Sequence, residues 1–154
     1  MATSTQPEAA AAALGVHSIS VCLSVADLEA SAAWYCHNLG FRLAQQRAFT
    51  DLAARVAYLE AQGLRLELLE QRDSQPGAPR QDPPRHGSPR GLSQLTFYVA
   101  DLDAALAHIR DRRVTVAMPP AFLPELGVSA FFVRDPESNL IEFIELSAPH
   151  PSKE

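Results

Sequence analysis

Two glutamates recur at one register of a repeated segment, and their type and spacing point to chemistry. Leu66-Glu67-Leu68-Leu69-Glu70 matches Ile141-Glu142-Phe143-Ile144-Glu145 at an offset of 75 residues. In an extended strand, alternation turns Glu67 away from Leu66 and Leu68, and Glu142 away from Ile141 and Phe143. A second match, at an offset of 74, sets Ser20 against Gln94. If the two copies pair about a pseudo-twofold axis, Ser20, Glu67, Gln94 and Glu142 come together. Two carboxylates converging there cannot both stay ionised cheaply without a compensating charge. A metal, a cationic ligand or Arg65, which shares the alternation face of Glu67, must supply it, or one carboxylate keeps its proton. Such a carboxylate suits proton transfer next to a carbonyl. Glu142 is the favoured base, with Glu67 and Gln94 holding a metal or the substrate's oxygens. A glutamate alternating with apolar residues is also ordinary on a half-exposed strand; the recurrence is what separates these two.

The repeat also dictates the elements that must position them. Ser20 to Ala30 aligns with Gln94 to Ala104, and Val-Ala-Asp-Leu-x-Ala is identical in both copies. Alternation predicts a first strand over 17–25 and again over 92–99. Asp27 and Asp101 stand where helix N-caps belong. The helices run over 28–38 and 102–112, and Gly40 suits the left-handed residue after the first. Strand patterns follow at 41–48, 54–60 and 63–70, then at 114–118, 127–133 and 139–146. The order is β-α-β-β-β twice, an α+β fold of two tandem modules forming a cup-shaped mixed sheet with helices on the outside. One domain spans 16–147, with modules 16–70 and 92–147 and disordered tails at 1–15 and 148–154. The connection 71–91 holds Pro76, Pro79, Pro83, Pro84 and Pro89, which oppose regular structure. It reads as a solvated spacer, or as a lid whose arginines hold an anionic substrate tail.

Composition removes whole classes of function. With 154 residues, the chain fits one ordinary domain. Thirteen basic side chains against 18 acidic ones leave no electrostatic footprint for nucleic acid. No apolar run approaches the roughly 18 residues of a membrane span. The N-terminal stretch lacks the basic region of a signal peptide, so a cytoplasmic location is expected. Cys22 and Cys36 make no disulfide framework or metal finger. Cys22 shares the face of Ser20 but has no evident base beside it, and His37 and His108 fall on the helices. Trp34 and Tyr35 read as core, while Tyr58, Tyr98 and Phe132 are strand aromatics that fill space or line a pocket.

The paired modules resemble the vicinal oxygen chelate superfamily of glyoxalases, bleomycin-binding proteins and extradiol dioxygenases. The likeness covers about residues 16–147 and rests on VADLEASAAWYCHNLGF, GLSQLTFYVADLDAAL and RDPESNLIEFIEL. It implies four metal-ligand positions, which fall on Ser20, Glu67, Gln94 and Glu142. The family usually has histidine at the Ser20 position and often at the Gln94 position. Without histidine there, the dioxygenase activity is not expected. An all-oxygen set favours Mg²⁺ or Mn²⁺ over Zn²⁺ or Ni²⁺, and loss of the metal altogether is the other outcome. The resemblance thus implies an isomerase- or lyase-type enzyme on a small carbonyl-containing metabolite, with Glu142 and Glu67 as its catalytic pair. The alternative is a metal-free protein that binds and sequesters a small molecule. A homodimer is the family's usual assembly.

Overall fold

The computed structural model describes residue 15 and residues 17–145. The expected tails at 1–15 and 148–154 fall outside the described residues, apart from residue 15. The first module contains β1 (Val21–Val25), α1 (Leu28–Leu39), β2 (Arg42–Phe49), β3 (Ala54–Ala61) and β4 (Leu64–Gln71). The second contains β5 (Leu95–Val99), α2 (Leu102–Asp111), β6 (Val116–Leu123), β7 (Val128–Arg134) and β8 (Leu140–Glu145). Each forms a four-stranded mixed sheet, in the orders β1-β4-β3-β2 and β5-β8-β7-β6. The parallel pairs β1–β4 and β5–β8 are bridged by the helix connection that parallel strands require.

Both helices start as the repeat dictates. Asp27 accepts the Ala30 amide and Asp101 the Ala104 amide, each at 2.8 Å. The second glutamate of the repeated strand completes the cap. Glu70 accepts the Leu28 amide at 2.8 Å, and Glu145 the Leu102 amide at 3.0 Å. Three residues separate Glu67 from Glu70 on one strand, so they point to opposite faces, one to open space and one to the helix. Gly40 closes α1 at φ 73, where a Cβ would be strained.

One core lies between the sheets and helices. Leu23, Val25, Leu66 and Leu68 pack with Leu28 and Tyr35 of α1, and Ile141 and Phe143 with Leu102, Leu106 and Ile109 of α2. The two halves are continuous, because Phe41 meets Phe97 edge-on at 6.2 Å and Phe97 stacks on Phe143. Tyr35 does more than fill space. Its hydroxyl crosses between modules to donate to buried Asp135 at 2.7 Å. Burial, reinforced by the Asp135 charge, pushes that phenol well above its ordinary range. On the helix ends, His108 and Arg112 reach the carbonyls of Asn38 and His37.

Three elements depart from the sequence expectation. Residues 17–20 and 92–94 are not strand, so β1 and β5 are shorter than the alternation suggests. β6 runs through Pro119 and Pro120, with register shifts at Val116/Met118 and Met118/Ala121. An edge strand with shifted register tolerates the missing amides.

Candidate functional site

In the second module, β8 carries Glu142 between two residues committed to the helix side, and Glu142 is only 7% exposed. Thr96 of β5 is its parallel partner, and Gln94 lies two residues earlier on the same side. Thr96 Oγ1 donates to Glu142 Oε2 at 2.8 Å and Gln94 Nε2 at 3.2 Å. Among the described residues no basic side chain pairs with Glu142. The result is a buried carboxylate held by uncharged donors alone. Sequence reasoning singled out Gln94 and Glu142 as candidates and not Thr96, although its place on Gln94's alternation face was the available signal.

The first module arranges the same register differently. Cys22 is the parallel partner of Glu67, and Tyr58 its antiparallel one. Burial first, and the Glu67 charge second, push the Cys22 thiol up, so it rests protonated and is no activated nucleophile. Arg65 does not compensate Glu67. It donates to Glu60 at 2.9 Å, as Arg42 does at 2.6 Å, and this pairing holds the Glu60 carboxyl below its usual range. Ser20 is exposed in the lead-in to β1. The structure therefore joins Gln94 to Glu142 and sets Glu67 beside Cys22. Among the described residues no ion pair or hydrogen bond links Glu67 to Glu142 or Ser20.

As a metal cage these four do not fit in this arrangement. Gln94 turns its amide N–H toward Glu142 instead of offering its carbonyl, and Ser20 brings a neutral, exposed hydroxyl. A different acidic set, Asp27, Glu29 and Glu70, has carboxylate oxygens within 4.8 Å of one another and is of the kind that can hold a metal. Its oxygens are already engaged. Asp27 and Glu70 cap α1, and Arg55 bridges Glu29 at 2.6 Å and Glu70 at 2.8 Å. The guanidinium takes the cation's part and holds the Glu29 carboxyl low.

Residues 72–91 are mostly exposed, and a few contacts tie them to the second sheet as a strap. Arg134, on the face of Glu142, donates to the Arg80 carbonyl at 2.8 Å and to Asp82 at 2.7 Å. Arg80 in turn ties the strap together through the carbonyls of His86 and Pro89. A single 3-10 turn at Arg85–Gly87 brings the His86 ring to 5.2 Å from Phe132, the cross-strand partner of Glu142. Among the described residues, His86 Nδ1 is the buried side-chain polar atom left without a hydrogen-bond partner. Arg80 uses Nη1 for both of its strap bonds and is half-buried, while Arg72, Arg85 and Arg90 are exposed. No helix among the described residues is long and apolar enough to cross a membrane.

Two tandem βαβββ modules, with helix caps, register and a recurring carboxylate in common, define the paired-module α+β class. The model of the Glyoxalase/Bleomycin resistance protein/Dioxygenase superfamily matches residues 16–143. The chain belongs to that superfamily. Among solved structures it is similar to a glyoxalase family protein from Enterococcus faecalis, with a TM-score of 0.67 at 19% identity, covering 84% of this chain and 96% of that one. A glyoxylase/bleomycin resistance protein/dioxygenase domain from Frankia sp. EAN1pec gives 0.67 at 23% identity, covering 87% and 94%. Glyoxalase I from Zea mays gives 0.66 at 16% identity, covering 84% of this chain but 44% of that longer one. At these identities the likeness carries the fold. No curated protein matches by sequence.

Proposed function

We propose that this chain is a glyoxalase-like enzyme of the isomerase or lyase type. Glu142 moves a proton next to the carbonyl of a small metabolite. The observation that supports this is the state of Glu142: buried, unpaired with any cation, and oriented by Gln94 and Thr96. A general base needs a fixed direction and a lone pair free of a permanent partner. Both donors bind Oε2, which leaves Oε1 for the substrate C–H. Gln94 and Thr96 hold the carboxylate as it takes the proton and returns it to the neighbouring carbon. No step runs through a metal, because the donor set does not form a cage.

The test is exchange of carbon-bound hydrogen in D₂O, followed by proton NMR across a panel of α-hydroxycarbonyl and dicarbonyl metabolites. At least one should exchange, and Glu142→Gln should slow that exchange by about 100-fold or more, the usual weight of a general base. A panel with no exchange but with saturable binding gives the second reading, a metal-free small-molecule binding protein. The exposed, neutral Ser20 at a position where the family has histidine favours that alternative.

A further inference from the structure

The strap and the two modules enclose a cleft of about 450 Å³, a size that suits a small molecule. Arg80 of the strap, Ser24 of β1, and Ser93 and Gln94 before β5 stand on its walls. Arg80 is held at both ends. Its carbonyl accepts from Arg134 Nη2 at 2.8 Å, and its Nη1 donates to the carbonyls of His86 at 3.1 Å and Pro89 at 2.6 Å. Both side-chain bonds fall on one nitrogen, so Nε and Nη2 keep their protons free among the described residues. These two nitrogens form one edge of the guanidinium, whose parallel N–H bonds match the two oxygens of a carboxylate. Gly91 passes beside Nη2 without a side chain to cover it, and a Cβ there would lie 3.6 Å away. We propose that this cleft is a binding site for a small monocarboxylate, whose two oxygens take the free Nε–Nη2 edge of Arg80. The proposal goes beyond the reading of Glu142 and does not need it.

The charges around Arg80 leave it available. Asp82, two residues on, pairs with Arg134 at 2.7 Å. Glu137, the other charged residue on the cleft wall, accepts the Ala26 amide at 2.6 Å. Among the described residues no carboxylate pairs with Arg80. A half-buried guanidinium has given up part of its hydration, and an entering carboxylate restores it through charge-assisted hydrogen bonds. The tether at Nη1 fixes the plane in advance, so little side-chain freedom is left to lose on binding. The count of charges narrows the ligand further. A single guanidinium matches one negative charge; the second charge of a phosphate would share the cleft with Glu137 and no second cation.

Heteronuclear NMR of the full chain tests this with propionate, lactate and benzoate, each set against its own amide at constant ionic strength. The Arg80 Nε–H signal is assigned by its loss in Arg80→Gln. At least one carboxylate should move that signal saturably, together with the backbone amides of Ser93 and Gln94. Its amide has the same size without the charge and should bind about tenfold more weakly or worse, as should the carboxylate to Arg80→Gln. Inorganic phosphate should bind no more tightly than the best carboxylate. The proposal is overturned if none of the three carboxylates gives a saturable shift, or if shifts elsewhere spare the Arg80 signal. An amide as tight as its carboxylate, undiminished affinity in Arg80→Gln, or tighter binding of phosphate would each overturn it too. Because Arg80→Gln also removes two strap bonds, the Arg80 signal in the parent is the deciding readout. Binding involves no turnover, so the result stands or falls separately from the Glu142 assignment.

Discussion

The two modules share a frame and differ on one face. Each starts its helix with an aspartate and closes the cap with the last glutamate of its repeated strand. On the face turned from the helix they part. In the first module Cys22 and Ser24 are exposed, and Glu67 and Leu69 are half-buried. In the second, Thr96 is half-buried and Tyr98 exposed, but Glu142 and Ile144 are buried, and the strap rests on Phe132. Duplication kept what holds helix to sheet, because the unpaired amides of a helix start impose the same demand twice. The opposite face carries no such mechanical demand, and there one copy became a covered carboxylate and the other an open one.

Several substitutions test how far this division goes. The buried bond between the modules, from Tyr35 to Asp135, should matter most to stability. Tyr35→Phe leaves the buried Asp135 short of a donor and should cost about 1–3 kcal/mol in denaturant unfolding. A loss near zero would mean that this bond adds nothing to the other contacts that join the modules. The caps should behave alike in both halves. Asp27→Ala and Asp101→Ala should each cost about 1 kcal/mol, and a cost confined to one would show that the shared frame is not shared in energy. The strap should respond only on the second module. Arg134→Ala, which removes both bonds to the strap, should speed proteolytic cleavage within 72–91 several-fold while thermal unfolding of the whole changes little; unchanged cleavage would show that Arg134 does not anchor the strap.

The smallest effect belongs to pH. Glu29 and Glu60 are held below the ordinary carboxylate range by Arg55 and Arg65 respectively. A depressed carboxyl contributes stability above its unfolded value and loses it as pH falls through the folded one. The melting temperature should therefore decline below about pH 4.5, and Arg55→Ala should flatten part of that decline. Both carboxyls are exposed, so the change is slight. An identical acid profile in parent and variant would remove these pairs from the account.

Much of the frame was legible before the structure, because local chemistry fixes it. Asp27, Asp101 and Gly40 announced helix ends, and the repeat placed Glu67 and Glu142 on the right strands. The roles of Glu70 and Glu145 were visible only in parity: three residues along a strand reverses the face, which directs them to the helix start. The Tyr35–Asp135 bond spans 100 residues of sequence, and no local pattern encodes it. The strap's attachment was hidden for a similar reason. Its prolines do prevent long elements, but its attachment depends on Arg134 and Phe132 from a distant strand. Arg65 shared Glu67's face as alternation required, yet Glu60, its cross-strand neighbour, captured it.

The central claim is that the covered carboxylate works and the open one does not. Glu142→Gln and Glu67→Gln, compared in the same hydrogen-exchange assay on the same carbonyl compound, test it most directly. The account predicts that exchange falls by about 100-fold or more with Glu142→Gln and by less than about tenfold with Glu67→Gln. Equal losses would make the two glutamates one catalytic pair, and a larger loss at Glu67 would place the chemistry on the open module and contradict the account.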